Sequence, residues 1–305
     1  MRAVLLRRTG GPEQLVLEEV PEPRAGEGEA VVEVRAAGVN FADVLVRLGR
    51  YPQMPELPVV LGSEVAGEVD GRRVVGFTSG YGGYAERAAA ARRWLFPLPA
   101  GASFAEGAAF LTAFVTAWVP LTQLARVGFG ARVLVTAAAG GVGSAAVQLV
   151  RVLNGVPVAA VGGRDKLALP RGLGAREAVT YDELGELEQV HVVLDLVGGD
   201  VFSACLPLVR PLGALIAVGF AGGLWPDVRP ARLVGRNVGL QGFDLGRLMR
   251  HAPEVVEQAA RDVLRLWEAG AVRPVVGGEY PLAEAGEAHR ALEERRSQGN
   301  LVLLT

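Results

Sequence analysis

Residues 131–153 read ARVLVTAAAGGVGSAAVQLVRVL. The run 132–136 is apolar and rich in β-formers, as a buried strand is. Small residues fill 137–143, and then Val142, Ala145, Ala146, Leu149, Val150 and Leu153 recur at helical spacing. Strand, glycine turn and helix in this order supply the context that a G-x-G-x-x-G match needs. Ala138 stands at its first position, and Gly140 and Gly143 at its second and third. A turn without side chains lets the backbone approach a pyrophosphate, and the following helix offers unpaired N–H groups and the positive end of its dipole. Ala138, Gly140, Gly141, Val142 and Gly143 are therefore candidate cofactor contacts. Alanine at the first position is compatible with the turn if its φ stays negative. The bland alternative is a turn that only packs a helix on a sheet.

Outward from this unit, strand patterns fall at 156–161, 191–197, 213–219 and 237–242. Helical patterns fall at 142–153 and 200–209, with a shorter one after Arg164 that Pro170 limits or kinks. Alternating strands and helices predict a parallel, doubly wound sheet. Upstream, helical spacing spans 104–126, where Pro120 divides the stretch in two. The first hundred residues are β-rich and barrel-like, with strand-like runs at 3–6, 15–19, 30–36, 59–69, 72–77, 84–88 and 95–97. Asn40 and Asp43 open a short helix through Leu48 and have capping-box spacing, which is a structural role open to both. After Phe243 come amphipathic helices at 253–269 and 283–296 around the run 272–280, then a strand at 301–304. The domain expectation is 1–115 with 245–305, and 116–244 between them.

Half of the 305 residues are hydrophobic and 21% are charged, enough for substantial cores. A net charge of −2, with no aromatic-basic stripe, argues against nucleic acid as a partner. No run of 18 apolar residues suggests a membrane span, and MRAVLLRRTGGPEQ lacks the apolar core of a signal peptide. The one cysteine, Cys205, excludes an internal disulfide and fits a reducing cytoplasm. Lys166 is the only lysine among 31 basic residues, and four asparagines and three methionines remain, which suggests a thermophile or a GC-rich genome.

The end of the second strand separates NAD from NADP. An acid there accepts from a ribose 2′-OH, whereas cations suit a 2′-phosphate. Here 156–161 runs into Gly162-Gly163-Arg164-Asp165-Lys166, with no acid at the strand end. Asp165 falls past the glycines, where it starts a helix. Gly162, Gly163, Arg164 and Lys166 are candidate contacts, and the reading favours NADPH.

The chain as a whole resembles the medium-chain dehydrogenase/reductase superfamily, and within it the zinc-free quinone oxidoreductase (zeta-crystallin-like) branch. MRAVLL, AAGVNFAD, LPVVLGSEVAGEV, GGYAER, LTAFVTAW, TAAAGGVG, LDLVGG and YPLAEAGEAHRALEERRSQGNLVLL carry the likeness. It implies an α/β protein with a β-barrel-like (GroES-like) substrate domain formed by both chain ends. A doubly wound parallel-sheet (Rossmann) domain would be inserted between them. A homodimer and a cleft between the domains are also implied. By position, Lys166, Tyr181 (ending a third strand) and Arg295 in the last helix are similar to residues around the 2′-phosphate. Gly219, Phe220, Gly242, Phe243 and Thr116 would lie by the nicotinamide, and Asn40, Asp43 and Tyr51 would face the substrate. A tyrosine of the family is Leu45 here. Zinc alcohol dehydrogenases of the superfamily place cysteine where Asn40 stands and histidine where Ser63 stands. One cysteine and His191, His251 and His289, all distant in sequence, cannot assemble that site.

Without a Lewis acid, a nicotinamide beside a cleft of few ionisable groups suits acceptors that take hydride unaided. NADPH-dependent reduction of a quinone is the expectation, with Asn40 orienting the acceptor oxygen and Tyr51 a donor or wall. Reduction of the C=C bond of an enone, alkenal or enoyl thioester is one alternative. An NADPH-binding sensor or RNA-binding protein without turnover is another. Cys205 reads as a core residue, Asp195 as a strand-end hydrogen bonder or ribose neighbour, and His289 as structural.

Overall fold

The computed structural model describes residues 1–305, which divide into two compact units, Met1–Thr112 with Pro274–Thr305, and Ala113–Arg273. The first unit opens with β1 (Arg2–Leu6), β2 (Leu15–Glu19), β3 (Glu29–Val39), α1 (Phe41–Arg47), β4 (Val59–Val60), β5 (Glu64–Val69), β6 (Arg72–Phe77), β7 (Arg87–Ala91), β8 (Leu95–Pro97) and α2 (Phe104–Ala108). Strands match their expected places except near Tyr84. There the run pairs with β1 first, through Val4 N–H to Tyr84 O and Glu86 N–H to Arg2 O, so regular pairing on β3 is delayed to Arg87. Side chains alternate along β3, with Val32 and Val34 buried and Glu33 and Arg35 out, as a half-buried strand requires. Where α2 crosses the sheet the contacts are small: Ala36, Ala66, Ala105 and Ala108. Gly38 is obligatory at that crossing, since a Cβ would lie 2.3 Å from the Ala108 carbonyl oxygen.

The second unit comprises α3 (Leu111–Val119), β9 (Arg132–Val135), α4 (Gly141–Val152), β10 (Val156–Val161), α5 (Ala168–Gly172), β11 (Glu177–Thr180), β12 (Val190–Asp195), α6 (Gly199–Cys205), β13 (Val209–Ala217), α7 (Pro230–Val234), β14 (Gly239–Gly242), α8 (Leu245–His251) and α9 (Pro253–Glu268), with α3 starting two residues before it. All six strands are parallel in the order β11-β10-β9-β12-β13-β14, so the direction of winding reverses between β9 and β12. As expected, Pro120 divides the stretch: α3 ends at Val119, and from Pro120 the chain widens into a π turn, with Ala125 N–H on the Pro120 carbonyl at 2.8 Å. A further break, not expected, falls at 109–110. The helical stretch Phe104–Leu124 is, contrary to expectation, long and apolar enough by composition to cross a membrane; 72% of its window is buried as core.

The chain then returns to the first unit as β15 (Val276–Pro281), α10 (Ala285–Glu293) and β16 (Asn300–Leu304). β16 pairs antiparallel with β3, Val302 opposite Gly38, which joins the two chain ends in one sheet. The expected boundary at 245 is therefore corrected to 274. The physical reason is α9, which buries Val256, Ala259, Ala260 and Val263 and leads to a clamp on α4: Gln148 Nε2 donates to Arg273 O (3.0 Å), and Arg273 N–H donates to Gln148 Oε1 (2.9 Å).

Candidate functional site

In the second unit the candidates gather at the carboxyl ends of the parallel strands, around the reversal of winding, where open α/β sheets bind ligands. The left-handed residue of the turn after β9 is Ala137 (φ 46°), one position before the motif. Ala138 has no positive φ; it is fully buried and ties the turn to β10 through its N–H on Ala160 O at 3.1 Å. That is why alanine suffices there. Gly143 has no room for a side chain, since a Cβ would lie 2.1 Å from Ala137 O. The turn thus packs directly on α4, and Gly140 caps the helix with no side chain across its first N–H groups. The arrangement is a cradle for a diphosphate in both shape and polarity.

Tyr181 spans two strand ends. Its hydroxyl accepts from Ala137 N–H at 3.1 Å, and its ring lies 3.6 Å from where a Cβ on Gly162 would be. Beyond β10, Arg164 pairs with Glu183 at 2.6 Å while 76% exposed, and Lys166 is half-buried in the same 3-10 turn. No carboxylate ends β10 itself. Asp195 resolves to its structural alternative. It is buried at the end of β12, takes the Thr136 hydroxyl at 2.9 Å, and takes the N–H groups of Val197 and Gly198 at 3.1 and 3.0 Å. Gly219 packs on Leu196, a Cβ there meeting its carbonyl oxygen at 2.6 Å. Phe220 packs on Trp225 with the rings tilted at 57° and their centroids 4.4 Å apart, Phe243 N–H bonds Ala217 O at the exposed end of β14 beside Gly242, and Thr116 is half-exposed on α3.

In the first unit, Asn40 precedes α1 and is half-buried; its Nδ2 is buried, near the Glu64 carboxylate but outside close hydrogen-bond geometry. Tyr51 is half-buried and packs against the core of this unit. Asp43 differs from its expected place facing substrate. It is 2% exposed, and Oδ2 accepts the Asn40 backbone N–H at 2.9 Å and the Tyr84 hydroxyl at 3.0 Å. Burial raises its carboxyl to about 6 against these bonds. Burial likewise pushes Glu64 up to about 7, opposed by Thr112 N–H at 3.1 Å and by the nearby Asn40 amide. Tyr84 also meets His289 Nε2 at 3.1 Å, and Arg47 Nε meets Nδ1 at 3.3 Å. Burial and the Arg47 cation lower His289 to about 3, so its ring is neutral. This buried set was missed from the sequence, although GGYAER and a lone arginine closing the apolar helix FADVLVR were its signals. Arg295 is corrected: α10 ends at Glu293, and Arg295 sits beyond it in a left-handed turn (φ 55°). It belongs to the first unit, whereas Lys166 and Tyr181 belong to the second.

A GroES-like unit that carries an inserted Rossmann-type sheet with a side-chain-free turn over a helix defines a nucleotide-dependent oxidoreductase of the alcohol dehydrogenase type. Residues 26–100 match the alcohol dehydrogenase GroES-like domain family, and residues 173–303 match the zinc-binding dehydrogenase family. A quinone oxidoreductase-like protein 2 homolog of Nematostella vectensis is 32% identical over 326 residues, covering 100% of this chain and 89% of the relative. The quinone oxidoreductase of Rattus norvegicus is 32% identical, covering 100% and 98%. Among solved structures, the quinone oxidoreductase from Thermus thermophilus, studied also in complex with NADPH, aligns with a TM-score of 0.91 at 41% identity over 100% of both chains. The chain belongs to the medium-chain dehydrogenase/reductase superfamily, in its quinone oxidoreductase branch.

The zinc in one family's description does not fit these residues. No three His, Cys, Asp or Glu side chains are grouped as ligands. Cys205 is buried in the second unit, and His289 is held between Tyr84 and Arg47. His191 accepts Arg132 N–H at 3.0 Å and faces Arg210 at 2.8 Å.

Proposed function

We propose that this chain is an NADPH-dependent quinone reductase that works without zinc, as a homodimer. The observation that carries the reading is the end of β10, where no carboxylate stands and Arg164 and Lys166 follow in one turn. The Arg164–Glu183 pair is a surface ion pair worth about 0–1 kcal/mol, so exchanging it for a phosphate costs little. The turn 137–143 and the first N–H groups of α4 would hold the diphosphate, and Lys166 and Arg164 the 2′-phosphate. The fit rests on the side-chain-free turn, which the missing Cβ at Gly143 lets pack against Ala137, and on this donor set. When bound, NADPH supplies a hydride. The chain's part is to bind, to orient and to exclude water. Asn40 would donate its Nδ2 to the acceptor oxygen, with Tyr51 as a wall. No side chain is assigned as a proton donor, because hydride addition to a quinone leaves a hydroquinone anion that water can protonate. The names of the relatives support a quinone over an alkenal.

Turnover of 1,4-naphthoquinone and of a 2-alkenal, each with NADPH and with NADH, tests this reading. Quinone and NADPH should be preferred, and faster alkenal turnover would overturn the acceptor assignment. Lys166→Ala should raise KM for NADPH about tenfold, the worth of one charge-assisted hydrogen bond, and leave KM for NADH unchanged.

A further inference from the structure

The hydrogen bonds behind Asn40 all run in one direction. Asp43 Oδ2 takes the Asn40 backbone N–H and the Tyr84 hydroxyl. Tyr84 has one hydroxyl proton, and with that proton on the carboxylate its oxygen can only accept from His289 Nε2, 3.1 Å away. His289 must then carry its proton on Nε2, which leaves Nδ1 as the acceptor. Nδ1 is the atom that Arg47 Nε–H faces, at 3.3 Å. Arg47 Nη1 donates to Gly10 O at 2.5 Å, and Nη2 donates to Glu293. These bonds run unbroken from the end of α10 to the first turn of α1. Tyr84, His289 and Arg47 are all fully buried, and the Tyr84 ring stands edge-on to the imidazole at 5.8 Å and 86°. A buried polar chain satisfied throughout fixes one geometry, and losing one member leaves an orphan behind. At its far end stands the Asn40 side-chain amide, whose buried Nδ2 lies near the Glu64 carboxylate.

We propose that Tyr84 and His289 are positioning residues for Asn40: through Asp43 they hold the entry to α1 so that the Asn40 side-chain amide is presented to the acceptor oxygen. This rests on the reading of Asn40 given above. Neither residue touches the acceptor; both act through Asp43.

The test uses the full-length protein labelled with ¹⁵N-asparagine. The chain has four asparagines, Asn40, Asn154, Asn237 and Asn300, so its side-chain amide spectrum is small, and Asn40→Ala identifies the signal of interest. Tyr84→Phe removes one oxygen and keeps the ring. It should shift and broaden the Asn40 amide, leave the other three in place, and lower kcat/KM for naphthoquinone about tenfold, with KM for NADPH within about twofold. His289→Gln can donate to Tyr84 and accept from Arg47, so it should stay close to wild type on both readouts at neutral pH, whereas His289→Leu should follow Tyr84→Phe. An Asn40 signal and a quinone kcat/KM unchanged in Tyr84→Phe would overturn the proposal. So would a disturbance spread over all four asparagines and NADPH affinity alike. A wild-type protein inactive on quinones, whose Asn40 signal still responds selectively to Tyr84→Phe, would refute the functional reading and uphold the positioning.

Discussion

A methyl group at Gly143 would sit 2.1 Å from the Ala137 carbonyl oxygen, and that atom is backbone in a turn held by Tyr181 and cannot yield. Gly143→Ala should therefore destabilise the protein by about 3 kcal/mol in urea unfolding, the upper range for overpacking, and abolish NADPH fluorescence enhancement. The same change at Gly140 meets Ala137 O at 3.3 Å with a negative φ, so it should cost less than about 1 kcal/mol. Charge gives a second prediction, at His289. Its folded pKa is depressed to about 3 from 6.5, so the folded state binds fewer protons than the unfolded chain between those values, and wild-type stability falls as pH falls through that window. Asp43 and Glu64, raised to about 6 and about 7, act the other way, losing stability as pH rises through 3.8–6 and 4.5–7. The difference between His289→Gln and wild type isolates the histidine. The variant should gain on wild type by about 1.4 kcal/mol per pH unit below 6.5, read from denaturation midpoints across pH. Asn40, Gly140 and Gly143 were legible as sequence because their chemistry is local. Asp43 was half legible, since capping-box spacing offered the role it plays, but its partner Tyr84 lies 41 residues away.

Gln148 shows how one side chain on a helix holds an element far along the chain. It is 6% exposed and makes two hydrogen bonds to the backbone of Arg273, 125 residues on. Gln148→Leu would keep the volume but leave a buried N–H and C=O without partners. It should cost about 2 kcal/mol, with faster hydrogen exchange at the Arg273 amide as the specific sign. Two long periodic elements were legible in the sequence to within a residue: 156–161 is β10 as read, and 253–269 is α9 less its last residue. Others were read short: β3, read as 30–36, runs on to Val39, and β13, read from 213, starts at Val209. Several short elements were not legible. β11, EAVT, has four residues and a half-polar pattern, and α7 and α8 bury no residue fully, so no periodicity marks them. Arg295 was drawn into a helix because its neighbours are good helix formers; nothing local marks the left-handed turn that ends α10 at Glu293.

At the scale of the molecule, the boundary between the units decides which segments fold together. A fragment spanning Ala113–Arg273 should unfold cooperatively and bind NADPH, whereas one ending at 244 should lack a cooperative transition. Truncation there strips α9, with its buried Val256, Ala260 and Val263, and removes both bonds between Gln148 and Arg273. Circular dichroism melts of the two fragments distinguish the boundary at 274 from the one at 245. The amino-acid order by itself determined the parallel sheet and its glycine turn, because those depend on periodicity and on missing side chains within some twenty consecutive residues. It also determined that zinc ligands are lacking, because that depends on residue counts. Only the tertiary structure decided that β16 closes on β3, that α9 stays with the inserted sheet, and that Arg47, Tyr84 and His289 stand behind Asn40. Those are contacts between segments up to 268 residues apart, and a hydrogen bond across that distance leaves no mark on the sequence next to either partner.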